Sequence, residues 1–217
     1  MFITFEGIEG SGKSTQCARL AQWLEGRGWC VECSKEPGGT RLGTAIRSLL
    51  LNRGNREMTE RGELFLYLAD RAQHVAERIR PALEAGKLVL VDRFSDSTLA
   101  YQGYGRKIDL TMLRKLNDWA TDGLRPDLTL LIDLPAEQGL ERARRRNRDN
   151  RSTESEGRFE EEDLGFHCRV REGFLRLAET EPARVKSVDG SRTEAEIQRE
   201  IEAIVEGFLL SHSVQKS

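Results

Sequence analysis

Cysteine is scarce in this chain. Four residues, Cys17, Cys30, Cys33 and Cys168, occur among 217, too few for a disulfide framework at this size. Cys30 and Cys33 share the C-x-x-C spacing of redox and zinc motifs. No second such pair exists, so plain alternation along a strand accounts for it. No apolar run is long enough to span a membrane. Neither sign of charge dominates: 34 Lys and Arg against 36 Asp and Glu leave a net charge of -2, so no global basic field argues for nucleic acid as a partner. An N-K-x-D guanine motif is missing, which weakens a signalling-type GTPase. Internal repeats and a dividing linker are also missing. The first five residues run directly into a glycine-rich loop, which leaves no room for a targeting peptide. These absences lead us to expect a reduced, cytoplasmic protein with no membrane or nucleic-acid partner.

What is present suits one soluble α/β domain, with 38% hydrophobic and 32% charged residues. Short apolar runs predict strands at Phe2–Phe5, Cys30–Ser34, Leu88–Val91, Leu128–Ile132 and Arg184–Val188. The third and fourth lack polar alternation, as strands buried on both faces do. Helical spacing covers Lys13–Arg27, Met58–Leu83, Leu110–Thr121, Ala136–Arg146, Asp163–Glu179 and Thr193–Leu209. Pro81 should kink or end the second of these. Strands alternating with helices imply parallel pairing and right-handed crossovers. The expected fold is a three-layer α/β/α sandwich on a five-stranded parallel sheet. One domain would span residues 1–210, with a polar, mobile lid at about 142–162 and a disordered tail at 211–217.

Gly7-Ile8-Glu9-Gly10-Ser11-Gly12-Lys13-Ser14 fits G-x-x-x-x-G-K-[ST] between a predicted strand and a predicted helix. Its glycines free backbone N–H groups to turn around a polyphosphate at the positive end of a helix dipole. Lys13 adds a charge near the transferring phosphoryl, and the Ser14 hydroxyl suits magnesium. This is an ATP or GTP site. The chain is small for a motor or transport ATPase, and its arginine-rich late segment favours a kinase of a small phosphate acceptor.

Three further strings sharpen the reading: "EPGGT" after the second strand, "ADRAQHV" in the long helix, and "DRFSDSTLAYQG" after the third strand. With "FEGIEGSGKST" and the "RFE" of the lid, they make the chain resemble thymidylate kinase of the bacterial form, from about Phe2 to Val205. The resemblance implies the P-loop nucleoside monophosphate kinase type of this fold and transfer of the γ-phosphoryl of ATP to dTMP, with Mg2+ as cofactor, by a homodimer. A kinase of another deoxynucleotide and a nucleotide-switched interaction protein are the alternatives. The acceptor-facing groups of "DRFSDSTLAYQG" are ones that a switch would not need.

Carried over residue by residue, the resemblance places ATP against Gly7, Glu9, Gly10, Ser11, Gly12, Lys13, Ser14 and Thr15. Asp189 would line the adenine, and Arg142 could stack on it or remain a solvated helix arginine. Asp92 would order magnesium through water, and Arg93 would hold the acceptor phosphate by bidentate hydrogen bonds. Arg47, or its rival Arg41, would share that phosphate. Arg71 would bond the thymine carbonyl and Tyr67 would stack on the base. Phenylalanine is usual at the Tyr67 position, so its hydroxyl needs a partner or water. Ser97, Thr98 and Gln102 would surround the base, with Tyr101 beside the sugar. Glu9 would lie near sugar and magnesium, while Glu36 and Pro37 shape the acceptor pocket.

Some family members carry a basic residue at the position of Gly10. Without one, a transition-state arginine must come from the lid. Arg148 and Arg158 rank ahead of Arg146 and Arg151, with Glu154, Glu156 and Glu160–Glu162 partly neutralising an open lid. His167 and Cys168 complete no metal or nucleophile set and read as structural. His74 reads as packing or interface, and His212 falls in the tail.

Overall fold

The computed structural model describes residues 1–149 and 157–213. Five parallel strands form one sheet in the order β2-β3-β1-β4-β5. They are β1 (Phe2–Glu6), β2 (Val31–Lys35), β3 (Leu88–Asp92), β4 (Leu128–Asp133) and β5 (Val185–Asp189). Each lies within a residue or so of its sequence-predicted span. The central strands are apolar on both sides because successive side chains point to opposite faces. Ile3, Phe5, Leu88, Leu90, Leu128 and Leu130 face one core, where Leu20 and Leu24 meet Ile197, Ile201 and Val205. Phe2, Val89 and Val91 face a second core with Val75, Ile79 and Phe94. Leu131 and Val185 face a third, with Leu113, Phe166, Val170 and Phe174.

The helices are α1 (Lys13–Glu25), α2 (Arg41–Leu51), α3 (Glu60–His74), α4 (Arg80–Glu84), α5 (Ser95–Thr98), α6 (Leu110–Thr121), α7 (Ala136–Asp149), α8 (Leu164–Thr180) and α9 (Glu194–Ser213). α9 extends three residues into the segment read from sequence as a disordered tail. α2 was not expected, although Thr40 caps it through a 2.9 Å bond from Gly43 N. The long helix anticipated over 58–83 is broken as Pro81 requires. A π-helical turn, Val75–Ile79, separates α3 from α4. A wider turn accommodates a ring that clashes with, and cannot donate to, the carbonyl four residues back. A second π-helical stretch, Leu99–Gly105, continues α5 and carries Tyr101 and Gln102.

The chain leaves β1 toward β2 at one edge, whereas β4 lies on the other side of β1. The carboxyl end of β1 is therefore where strand order reverses, the usual place for a ligand crevice in an open parallel sheet. Among the described residues no helix is long and apolar enough to cross a membrane.

Candidate active site

The glycine-rich loop leaves the end of β1 and turns into α1. Gly7, Gly10 and Gly12 take positive φ of 137°, 72° and 97°, a conformation that costs glycine little. Gly10 is fixed twice over. A Cβ there would come within 2.2 Å of the Gly139 carbonyl oxygen on α7, so position 10 has no room for a basic side chain. Lys13 folds back on the loop, its Nζ donating to Ile8 O at 2.7 Å and approaching Ser11 Oγ at 3.4 Å. Burial, together with the Arg93 charge, pushes its pKa down to about 8, although Asp92, Glu9 and Glu6 pull the other way. Ser14 Oγ donates to Asp92 Oδ2 across the crevice mouth. Two hard oxygens held together fit magnesium, which favours oxygen ligands and retains water. Among the described residues no cluster of three His, Cys, Asp or Glu side chains could hold a metal by itself. Glu9 is less suited to that role, because its Oε1 already accepts from Arg93 at 3.0 Å and Tyr101 at 2.6 Å.

Arg93 follows β3 with φ at 72°, a strain of roughly 1–3 kcal/mol for a non-glycine residue. Its surroundings hold it there. Its backbone N–H donates to Phe5 O at 2.9 Å, and its guanidinium donates to Gly7 O at 2.9 Å and to Glu9. Next to it, buried Glu6 accepts from Phe94 N at 2.8 Å, Ser97 N at 3.2 Å and Ser97 Oγ at 2.6 Å. Burial and the nearby Asp96 raise the Glu6 pKa to about 7, against the lowering effect of those hydrogen bonds and Arg93. Burial alone would also raise Glu9, but Arg93, His167 and Lys13 hold it far below the usual carboxylate range.

Across the crevice stands Arg71, only 1% exposed. Its Nε donates to Glu36 Oε2 at 2.9 Å, and its other nitrogens donate to Thr98 Oγ1 at 2.6 Å, Asn117 Oδ1 at 2.8 Å and Phe94 O at 2.9 Å. Guanidinium has five N–H donors, so one remains beyond these four bonds. The other Glu36 oxygen meets His74 Nδ1 at 2.9 Å, and His74 Nε2 meets Ser34 at 2.7 Å. His74 is thus a packing residue. Tyr67 lines the same crevice with Phe159, their ring centroids 6.4 Å apart. Ser97, Thr98, Tyr101 and Gln102 line it too, as do Lys35, Pro37 and Arg47. Arg47 donates to Pro37 O at 3.1 Å, whereas Arg41 is exposed at the start of α2, which favours Arg47 of the two rivals.

On the donor side, Arg142 Nη1 donates to Gly190 O at 3.1 Å, joining α7 to the turn after β5. Asp189 is exposed and bonded to Ser191. Thr15 is exposed on α1, outside the crevice lining.

The lid arginines separate. Arg158 is 8% exposed, donating from Nε to Leu50 O at 2.6 Å and from Nη2 to Glu63 Oε2 at 2.7 Å. It is thus taken up by α2 and α3 and does not line the crevice. Arg148 lines a second hollow with Arg53, Arg56, Arg144 and Glu161. Of the three ranked arginines among the described residues, only Arg146 lines the crevice; there it lies 3.6 Å from Glu160 Oε1. Arg151, Glu154 and Glu156 lie outside the described residues, as does the side chain of His212.

Sequence reasoning missed four participants. Glu63 is a buried hub that accepts from Gln102 at 2.8 Å, Arg106 at 3.1 Å and Arg158. Burial would raise its pKa, but these arginines keep it low. Asn117 and Glu6 complete the polar settings of Arg71 and Ser97. His167, read as structural, donates from Nε2 to the lid carbonyl of Phe159 at 2.9 Å and sets Nδ1 3.5 Å from Glu9 Oε2. Only a fold-level contact reveals it, because 158 residues of sequence separate Glu9 from His167.

A family model described as thymidylate kinase matches residues 5–201. A thymidylate kinase of Nitratidesulfovibrio vulgaris is 54% identical over 209 residues, 96% of this chain and 93% of that protein. One from Solidesulfovibrio magneticus is 55% identical over 191 residues, 88% of this chain and 91% of its own. The crystal structure of thymidylate kinase from Ehrlichia chaffeensis superposes with a TM-score of 0.75 at 34% identity, covering 94% of this chain and 98% of that one.

Proposed function

The chain belongs to the thymidylate kinase family, and from that premise we propose that it transfers the γ-phosphoryl of ATP to dTMP, giving dTDP and ADP. The observation that carries this reading is a single crevice lined by Lys13 and Ser14 at one end and Tyr67, Arg71 and Gln102 at the other. A donor polyphosphate and an acceptor base would then meet over Arg93.

Phosphoryl transfer of this kind needs alignment and charge neutralisation more than covalent help from the protein. The loop N–H groups and Lys13 bind the donor phosphates, with Lys13 exchanging its loop carbonyl for phosphate oxygen. Arg93 and Arg47 hold the acceptor phosphate. Arg71 directs its remaining N–H at a thymine carbonyl, and Tyr67 stacks on the ring. Tyr101, fixed by Glu9, stands where a 2′-hydroxyl would intrude. Ser14 and Asp92 would hold Mg2+, which would neutralise phosphate oxygens. The transition-state charge falls to Arg146 on α7, with Arg158 fastening the lid to α3 through Glu63. Phe159 and the lid exclude water from the reacting groups. A cytoplasmic location and a homodimer fit this reading. The dimer would use a face away from the crevice, where Phe65 of α3 and Met112 and Trp119 of α6 stand exposed.

A coupled assay of ADP release tests the function, comparing dTMP with dUMP, other nucleoside monophosphates and free thymidine. We expect dTMP to give the highest kcat/KM. Preference for another acceptor would make this a kinase of that acceptor, and retention of nucleotide without acceptor-dependent turnover would make it a switch.

A further inference from the structure

We propose that Cys17 and Cys33 form a reversible redox pair that, once oxidised to a disulfide, ties the phosphate-loop helix to the edge strand and suppresses turnover. The two sulfurs lie 3.4 Å apart. Cys17 is buried on the inner face of α1, and Cys33 is exposed on β2, the edge strand of the sheet. Neither thiol has a part in phosphoryl transfer. An oxidant reaches Cys33 from solvent, and a resolving thiol already touches it, which is the arrangement of a redox-sensing cysteine. The contact with Cys17 holds the Cys33 thiol below its ordinary range, against burial and the nearby carboxylates, while the same contact and burial push Cys17 up; Cys33 is also the exposed sulfur of the two. The reactive thiolate therefore forms on the accessible sulfur.

Hydrogen peroxide supplies the oxidant class. The Cys33 thiolate forms an S–O bond as the O–O bond breaks, and the departing oxygen takes up a proton to leave as water. The Cys17 sulfur then attacks Cys33; the S–S bond forms, the S–O bond breaks, and the Cys17 proton leaves with the hydroxyl as a second water. Each sulfur loses one electron and peroxide gains two.

The C-V-E-C spacing would suggest Cys30 as the partner, but Cys30 precedes β2 and Cys33 meets Cys17 instead. Bond formation from 3.4 Å draws the sulfurs together by roughly 1.4 Å. Cys17 lies three residues beyond Ser14, and Cys33 two residues before Lys35. Ser14 bonds to Asp92, Lys35 pairs with Asp92 across the sheet, and all three line the crevice, so the cross-link strains two neighbouring segments of the site at once. Misplacement of about 1 Å in an aligned site can cost on the order of 10²-fold in rate.

The test treats the folded, full-length chain with hydrogen peroxide and digests it without reductant for mass spectrometry. We expect a Cys17–Cys33 cross-linked peptide two hydrogens lighter than the pair. In the same samples kcat/KM for ATP should fall by about tenfold or more and return with dithiothreitol. Cys33→Ser should turn over normally when reduced and ignore peroxide, whereas Cys30→Ser should respond as wild type. A free Cys17 thiol after treatment, a Cys30–Cys33 link, or a Cys17–Cys33 link without lost turnover would each overturn the proposal. The activity arm rests on the kinase reading, whereas the cross-link does not. Failure of the reduced enzyme to phosphorylate any acceptor would count against that reading alone.

Discussion

The two ends of the crevice hold their cations differently. At the proposed base end, Arg71 is enclosed by Glu36, Thr98, Asn117 and Phe94, four bonds supplied by the protein itself. At the proposed phosphate end, Lys13 rests on the Ile8 carbonyl, and Arg146, itself exposed, on buried Glu160 of the lid. Those contacts can be exchanged for phosphate oxygens. On the proposed reading, base recognition is built in advance, where a misplaced donor would cost specificity, and the charge that would act on the transferring group is kept available, because only contacts that strengthen in the transition state accelerate a reaction.

Substitutions at the two ends should therefore fail in different ways. Lys13→Ala should leave the fold intact and lower kcat on the order of 10²-fold or more, about 3 kcal/mol, checked by circular dichroism beside the coupled assay. Arg71→Ala should instead raise KM for dTMP strongly with little change for ATP. It should also lower Tm, since buried Glu36 would lose a charged partner. A change in KM for ATP of equal size would erase the distinction between the ends.

A pH profile sharpens the same contrast. With the Lys13 pKa at about 8 in the free enzyme, the charged form is lost as pH rises through that value. kcat/KM for ATP should fall above pH 8, while kcat, measured with phosphates bound beside the ammonium, should hold to higher pH. Lys13→Arg should flatten the alkaline limb, whatever its absolute rate. The smallest effect belongs to Tyr67. Tyr67→Phe should be nearly silent, and Tyr67→Ala should raise KM for dTMP by the equivalent of roughly 1–3 kcal/mol, the scale of base stacking on an aromatic ring.

Much of the phosphate end was legible in the sequence, because a glycine-rich loop between a strand and a helix is local chemistry. Lys13, Ser14, Asp92 and Arg93 meet where their motifs imply. The supports of the base end were less legible. Glu63 looks like one more helix carboxylate, yet it gathers Gln102 and Arg106 from one segment and Arg158 from the lid. Glu6 looks like the polar end of a strand until Ser97 folds back over it. The π-helical stretch that aims Tyr101 and Gln102 has no simple periodic signature. The resemblance put Arg158 near the front of the lid arginines, but no motif could reveal that it meets a buried carboxylate on α3.

The most direct test of this account compares Arg146→Ala with Arg158→Ala at saturating ATP and dTMP. Arg146→Ala should lower kcat on the order of 10²-fold or more with small changes in KM. Arg158→Ala should keep kcat within a few-fold, raise KM, and lose about 1–3 kcal/mol of stability as its bonds to Leu50 and Glu63 disappear. A collapse of kcat in Arg158→Ala alongside near-normal turnover in Arg146→Ala would contradict the division of the lid into an acting arginine and a fastening one.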